Sequence, residues 1–145
     1  MKVEIMSRMR AMEFSLKEHS GRFAVISISD PDKDSPELQC NSDNGIFQQL
    51  KLHFTDVDVE QDGCITHEQA RNIAEYVIEV IDKVDSVIVH CEAGMSRSAG
   101  VAAAVMKYLT GNDWGVFDNA RFRPNMTCYR KVLSAFYELD VGDEP

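Results

Sequence analysis

Apolar positions along the chain follow two periods, and the change from one to the other marks out its elements. Lys2 to Met6 reads as a short strand, after which Ser7 can cap a helix carrying Met9, Met12, Phe14 and Leu16. Phe23 to Ile28 is a continuous apolar, β-branched run, the signature of a buried strand, and it stops at the turn cluster Ser29-Asp30-Pro31-Asp32. Leu50 to Phe54 alternates and predicts a strand with one face in the core; an acidic loop from Thr55 to Ile65 follows. Thr66, with Gln69 three residues on, signals a helix start before Ala70, Ile73, Ala74, Val77, Ile78 and Ile81 recur at helical spacing. Ser86 to His90 reads as a central strand, Ala99 to Leu109 as a helix of small residues, and Asn125 to Leu139 holds a last helix after the turn at Arg123-Pro124.

Strands alternating with helices predict an α/β fold: one domain over residues 1–145, built on a mostly parallel sheet of about four strands with helices on both faces. Residues 140–145, Asp-Val-Gly-Asp-Glu-Pro, read as a frayed acidic tail.

Composition narrows the function classes. A hydrophobic fraction of 44% suits one core and excludes a disordered or low-complexity chain. With 24 acidic against 15 basic residues the net charge is −9, so neither nucleic acid nor an anionic membrane, both of which demand clustered Lys and Arg, is an expected partner. No run of eighteen apolar residues occurs, and the first residues lack the apolar stretch of a leader, so a soluble cytoplasmic protein is expected. Oligomeric state is written in none of these features.

The four cysteines, Cys40, Cys64, Cys91 and Cys128, are widely spaced and form no metal knuckle, so neither a metal nor an organic cofactor is expected. Cys91 differs from the others in its surroundings. Residues 90 to 98 read His-Cys-Glu-Ala-Gly-Met-Ser-Arg-Ser, between a predicted strand and a helix. A loop in that position can aim the backbone N–H groups of Glu92, Ala93, Gly94, Met95, Ser96 and Arg97 at one anion, at the amino end of a helix. Gly94 supplies the backbone freedom, and Arg97 can grip two phosphate oxygens at once. The same field favours the thiolate of a cysteine lying there.

This loop resembles the signature of the cysteine-dependent protein tyrosine phosphatases, and its Ala-Gly-x-Ser-Arg-Ser form at 93–98 is most similar to the small dual-specificity branch. The resemblance implies that Cys91 is the nucleophile, that Arg97 and the loop amides hold the phosphate, and that Ser98 helps the sulfur leave. It implies that His90 orders the loop from behind and that Asn125 packs behind it as structural support. It further implies an acidic residue after an earlier strand, some thirty residues before the cysteine, which protonates the leaving group. Asp56 lies 35 residues before Cys91 and Asp58 lies 33 before it, and both fit, with Asp56 the better match to the strand end. The alternation of Asp56, Asp58, Glu60 and Asp62 is not an EF-hand loop, because a strand precedes it and the twelfth position is His67.

The implied activity is hydrolysis of phosphotyrosine, and through a shallow pocket of phosphoserine and phosphothreonine, on a phosphorylated protein or peptide. Ala93 and Met95 stand where the inositol-lipid phosphatases of the wider family carry lysines, which disfavours a lipid substrate. Two other readings belong to different classes. One is a phosphate-binding module that keeps Cys91 and Arg97 without turnover; the other is a thiol enzyme of the rhodanese or arsenate-reductase kind.

Overall fold

The computed structural model describes residues 1–142. In chain order the elements are β1 (Lys2–Ser7), α1 (Arg8–Ser15), β2 (Phe23–Ser29), β3 (Ile46–His53), α2 (His67–Val80), β4 (Ser86–Cys91), α3 (Arg97–Thr110), α4 (Trp114–Phe117) and α5 (Met126–Gly142). The four strands form one sheet in the order β1-β4-β2-β3, and each neighbouring pair is parallel. The sheet is therefore wholly rather than mostly parallel.

A parallel sheet must bury both faces, and side-chain alternation sorts the two. Ala24, Ile26 and Ile28 of β2 join Val87 and Val89 of β4 in the larger core, under Ile73, Ala74 and Val77 of α2, Val101 and Val105 of α3, and Val132 and Phe136 of α5. The intervening Val25 and Ile88 turn to the other face, where they meet Met6, Ala11 of α1 and Leu38 of the β2–β3 connection. Each such aliphatic side chain withdrawn from water contributes about 1.5–3 kcal/mol before entropy is counted.

The helix starts obey local rules. Ser7 Oγ accepts from the Arg10 amide and caps α1. Thr66 and Gln69 form a reciprocal capping box at α2, and Gln69 also donates to the His53 carbonyl, joining the start of α2 to the end of β3. The small residues of α3 let α5 approach closely, since a Cβ on Gly100 would lie 2.3 Å from the Asn125 carbonyl oxygen.

Beyond shifts of one or two residues at several ends, three features differ from expectation. The third strand begins at Ile46 rather than Leu50, because Gln49, polar in sequence, is held inside by hydrogen bonds to Ser27 Oγ and the Pro36 carbonyl, both 2.8 Å. The short α4 carries no helical period of its own and was not anticipated. Helix α5 continues through Gly142, so residues 140–142 are helical rather than frayed, with Tyr108 Oη donating to Asp140 Oδ1; the rest of the expected tail, 143–145, lies outside the described residues.

Candidate active site

In parallel sheets the ends of the strands gather on one edge, and there ligands bind. Ser7 pairs with Cys91 and Ser29 with His53, so all four carboxyl ends lie together. The segments leaving three of them supply Asp30, then Phe54 to Asp58, and the loop after Cys91.

Cys91 is the last residue of β4 and is 3% exposed. Its Sγ lies 3.1 Å from Ser98 Oγ, in the first turn of α3. Between them the carbonyls of Glu92, Met95 and Ser96 accept hydrogen bonds from the amides of Arg8 (3.1 Å), Arg123 (2.9 Å), and both Gly100 (2.9 Å) and Asn125 (3.0 Å). Among the described residues, the amides of Ala93, Gly94, Met95 and Ser96 donate to no protein acceptor. A bend whose carbonyls are consumed by the surrounding protein while its amides stay free is a nest for an oxyanion. Gly94 is required twice over. Its φ is +71°, and a Cβ there would lie 2.6 Å from the Ser7 nitrogen and 2.8 Å from the Met6 oxygen.

Arg97 opens α3 and is 5% exposed. Its Nη1 donates to the Phe54 carbonyl at 2.7 Å and pairs with Asp30 Oδ1 at 2.9 Å. Both protein partners thus sit on one terminal nitrogen, and the other two guanidinium nitrogens are left for a bidentate grip on an anion. Asp30 was not among the expected site residues. The sequence shows it only as part of a turn, and nothing in a single chain marks its pairing with an arginine far along in sequence.

His90 is wholly buried on the opposite face of β4 from Cys91's core neighbours, with Nε2 2.6 Å from Ser27 Oγ. Burial pushes its imidazole down to about 4, a backbone interaction with Cys91 opposing this only in part. The ring is therefore neutral at pH 7. Gln49 donates to Ser27 Oγ, and Ser27 Oγ in turn shares a hydrogen bond with His90 Nε2, so this relay holds the ring behind the loop.

The two aspartates separate cleanly. Asp56 Oδ1 accepts from Ser96 Oγ (2.8 Å) and from Asn125 Nδ2 (2.9 Å), so it is tied to the phosphate-type loop itself. Asp58 Oδ1 accepts from the Met126 amide (2.8 Å) at the start of α5, which turns it away toward a helix end. Asn125 does more than pack: its Nδ2 also reaches the Val57 carbonyl (3.0 Å), while its Oδ1 accepts from the Cys128 amide and caps α5. Glu60, largely exposed, pairs with Lys131 of α5 at 2.6 Å, and Lys131 also donates to the Ile65 carbonyl. Cys128 lies buried beneath, where burial, reinforced by the Asp56 charge, pushes its thiol up; Cys64 is buried and Cys40 exposed.

No protein-family model matches the sequence. No curated protein matches it either. Solved structures do. Human DUSP28 superposes with a TM-score of 0.65 at 15% identity, over 97% of this chain and 95% of that one. A mouse putative dual specificity phosphatase, complexed with zinc tungstate, gives a TM-score of 0.66 at 16% identity, over 97% and 85%. The human tyrosine phosphatase-like serine/threonine/tyrosine-interacting protein gives 0.57 at 22% identity, over 83% and 79%. The fold is the one that these dual-specificity and tyrosine phosphatase-like structures share.

Proposed function

We propose that this chain is a phosphatase that removes phosphate from phosphorylated proteins, phosphotyrosine first among them, through a phosphocysteine intermediate. One observation carries the reading: Asp56 is held by Ser96 and Asn125 against the same loop that presents Cys91, Ser98, Arg97 and four free amides. Nucleophile, oxyanion cradle and acid share one site. The mouse structure with tungstate, a tetrahedral oxyanion, supports a phosphate-shaped occupant.

In the first step Cys91 Sγ attacks phosphorus and the bond to the leaving oxygen breaks. Asp56 gives that oxygen its proton, so the dephosphorylated side chain departs neutral. In the second, a water attacks phosphorus, Asp56 takes the water's proton, and the phosphorus–sulfur bond breaks to release inorganic phosphate. Ser98 Oγ, 3.1 Å from the sulfur, stabilises the departing thiolate with a hydrogen bond. Arg97 and the amides of Ala93 to Ser96 hold the equatorial oxygens in both steps, the term that dominates catalysis when little covalent chemistry falls to the protein. Asp58 serves the helix and not the reaction.

The test is hydrolysis of a small aryl phosphate in EDTA across pH 5–8. Cys91→Ser should abolish turnover. Asp56→Asn should lower kcat by about 10²–10⁴ and flatten the basic limb of the profile. Asp58→Asn should keep kcat within a few-fold and leave stability nearly unchanged, because the Asn Oδ1 still accepts from the Met126 amide. A wild type that binds vanadate but turns over no ester would replace the enzyme with a phosphate-binding module.

A further inference from the structure

Helix α1 turns Ala11 and Phe14 inward yet leaves a second set of apolar side chains outside. Its buried residue is Ala11, while Met9, Met12 and Leu16 are 71%, 44% and 83% exposed. Their spacing of three and four residues sets them in one stripe. With Arg8, Glu13 and Glu92 they line a groove of about 540 Å³.

The place of this groove gives the stripe a meaning. Ser7, which caps α1, pairs in register with Cys91, and the Arg8 amide donates to the Glu92 carbonyl at 3.1 Å. Gly94 rests directly on the Met6–Ser7 peptide. Helix α1 therefore begins at the wall of the phosphate cradle, and the groove, sharing Glu92 with that cradle, leads away from it. Resting on the phosphatase reading above, we propose that the Met9–Met12–Leu16 stripe is a substrate subsite that binds apolar side chains flanking the phosphorylated residue of a polypeptide.

Two features favour a polypeptide strand as the occupant. From Met9 to Leu16 the helix rises about 10 Å, the span of roughly three extended residues, so a strand anchored by its phosphate at Cys91 can lay one or two side chains along the stripe. The margin bears Glu13 and Glu92 and the chain carries −9, which opposes an anionic lipid surface but not an apolar peptide.

The experiment compares two phosphotyrosine peptides, identical except for Leu and Met or Ser and Gly at the two to four positions on each side of the phosphotyrosine, with a small aryl phosphate as reference. Wild type should favour the apolar peptide roughly tenfold in kcat/KM. The double variant Met9→Gln, Leu16→Gln should lose that preference while hydrolysing the aryl phosphate at the wild-type rate. Equal use of both peptides by wild type, or a preference that survives the double variant, overturns the subsite. A wild type that sediments as a dimer dissociated by the double variant, or that binds zwitterionic vesicles through the stripe, gives the stripe to another occupant and also overturns it. Should the aryl phosphate itself go unhydrolysed, the phosphatase reading fails separately, and titration of the two peptides onto Cys91→Ser still decides whether the stripe discriminates.

Discussion

At the scale of single residues, Asp30 shows what an arginine needs before it can bind an oxyanion well. A free guanidinium swings on a long side chain; pinning one nitrogen between a carboxylate and the Phe54 carbonyl fixes the plane of the fork. Asp30→Asn keeps the shape and removes the charge. It should weaken competitive inhibition by vanadate about tenfold and reduce kcat/KM for an aryl phosphate to a similar degree, with Asp30→Glu recovering part of both. A residue that only braced the fold would lower the melting temperature and leave the inhibition constant of the folded protein unchanged. This residue also marks the limit of reading one sequence. Cys91, Gly94, Arg97 and Ser98 are legible because they fall within one nine-residue stretch whose spacing carries its own chemical logic. Asp30 meets Arg97 only because β2 and β4 are neighbours in the sheet, and strand order is a property of the assembled chain.

At the scale of elements, the start of α5 does the joining. Asn125 links the acid-bearing loop to the helix, Asp58 and Lys131 fasten that loop at two further points, and Gly100 lets α3 come close enough for the Asn125 amide to reach the Ser96 carbonyl. Gly100→Ala forces a Cβ against backbone. It should cost about 1–3 kcal/mol in urea denaturation and, by displacing Asn125, reduce kcat more at the basic end of the pH profile than at the acidic end. Equal loss across pH would show that Asn125 and Asp56 are not coupled through this contact. The elements themselves were mostly readable: the capping box at Thr66 and the apolar runs of β2 and β4 are local signals. The different surroundings of Asp56 and Asp58 were not, because both follow the same strand and their partners, Ser96 and Asn125 for one and the Met126 amide for the other, come from distant segments.

At the scale of the whole molecule, the neutral histidine at the centre of the sheet ties stability to pH. His90 titrates at about 4 when folded against an ordinary value of 6.5, so between those values the unfolded chain binds more protons than the native one. Its contribution is intact above pH 6.5 and is lost as pH falls through 4, up to about 3 kcal/mol in all. Urea unfolding at pH 7, 5 and 4 should show that fall in wild type and a shallower one in His90→Gln; parallel curves for the two proteins would remove His90 from the account. His90 is legible in the sequence as a loop neighbour, but the cause of its neutrality, burial on the far face of β4, exists only in the assembled sheet.

The fastening of the acid loop to α5 has a consequence for the order in which the protein is made. On a ribosome all four strands and the Cys91–Ser98 turn have emerged with α3, but the Arg123 and Asn125 amides that hold the Met95 and Ser96 carbonyls of that turn have not. The nascent chain then holds Cys91 and Arg97 near one another, yet Asp56 still lacks Asn125 and its loop lacks Lys131. The candidate site is therefore complete only once Asn125 and α5 have been translated.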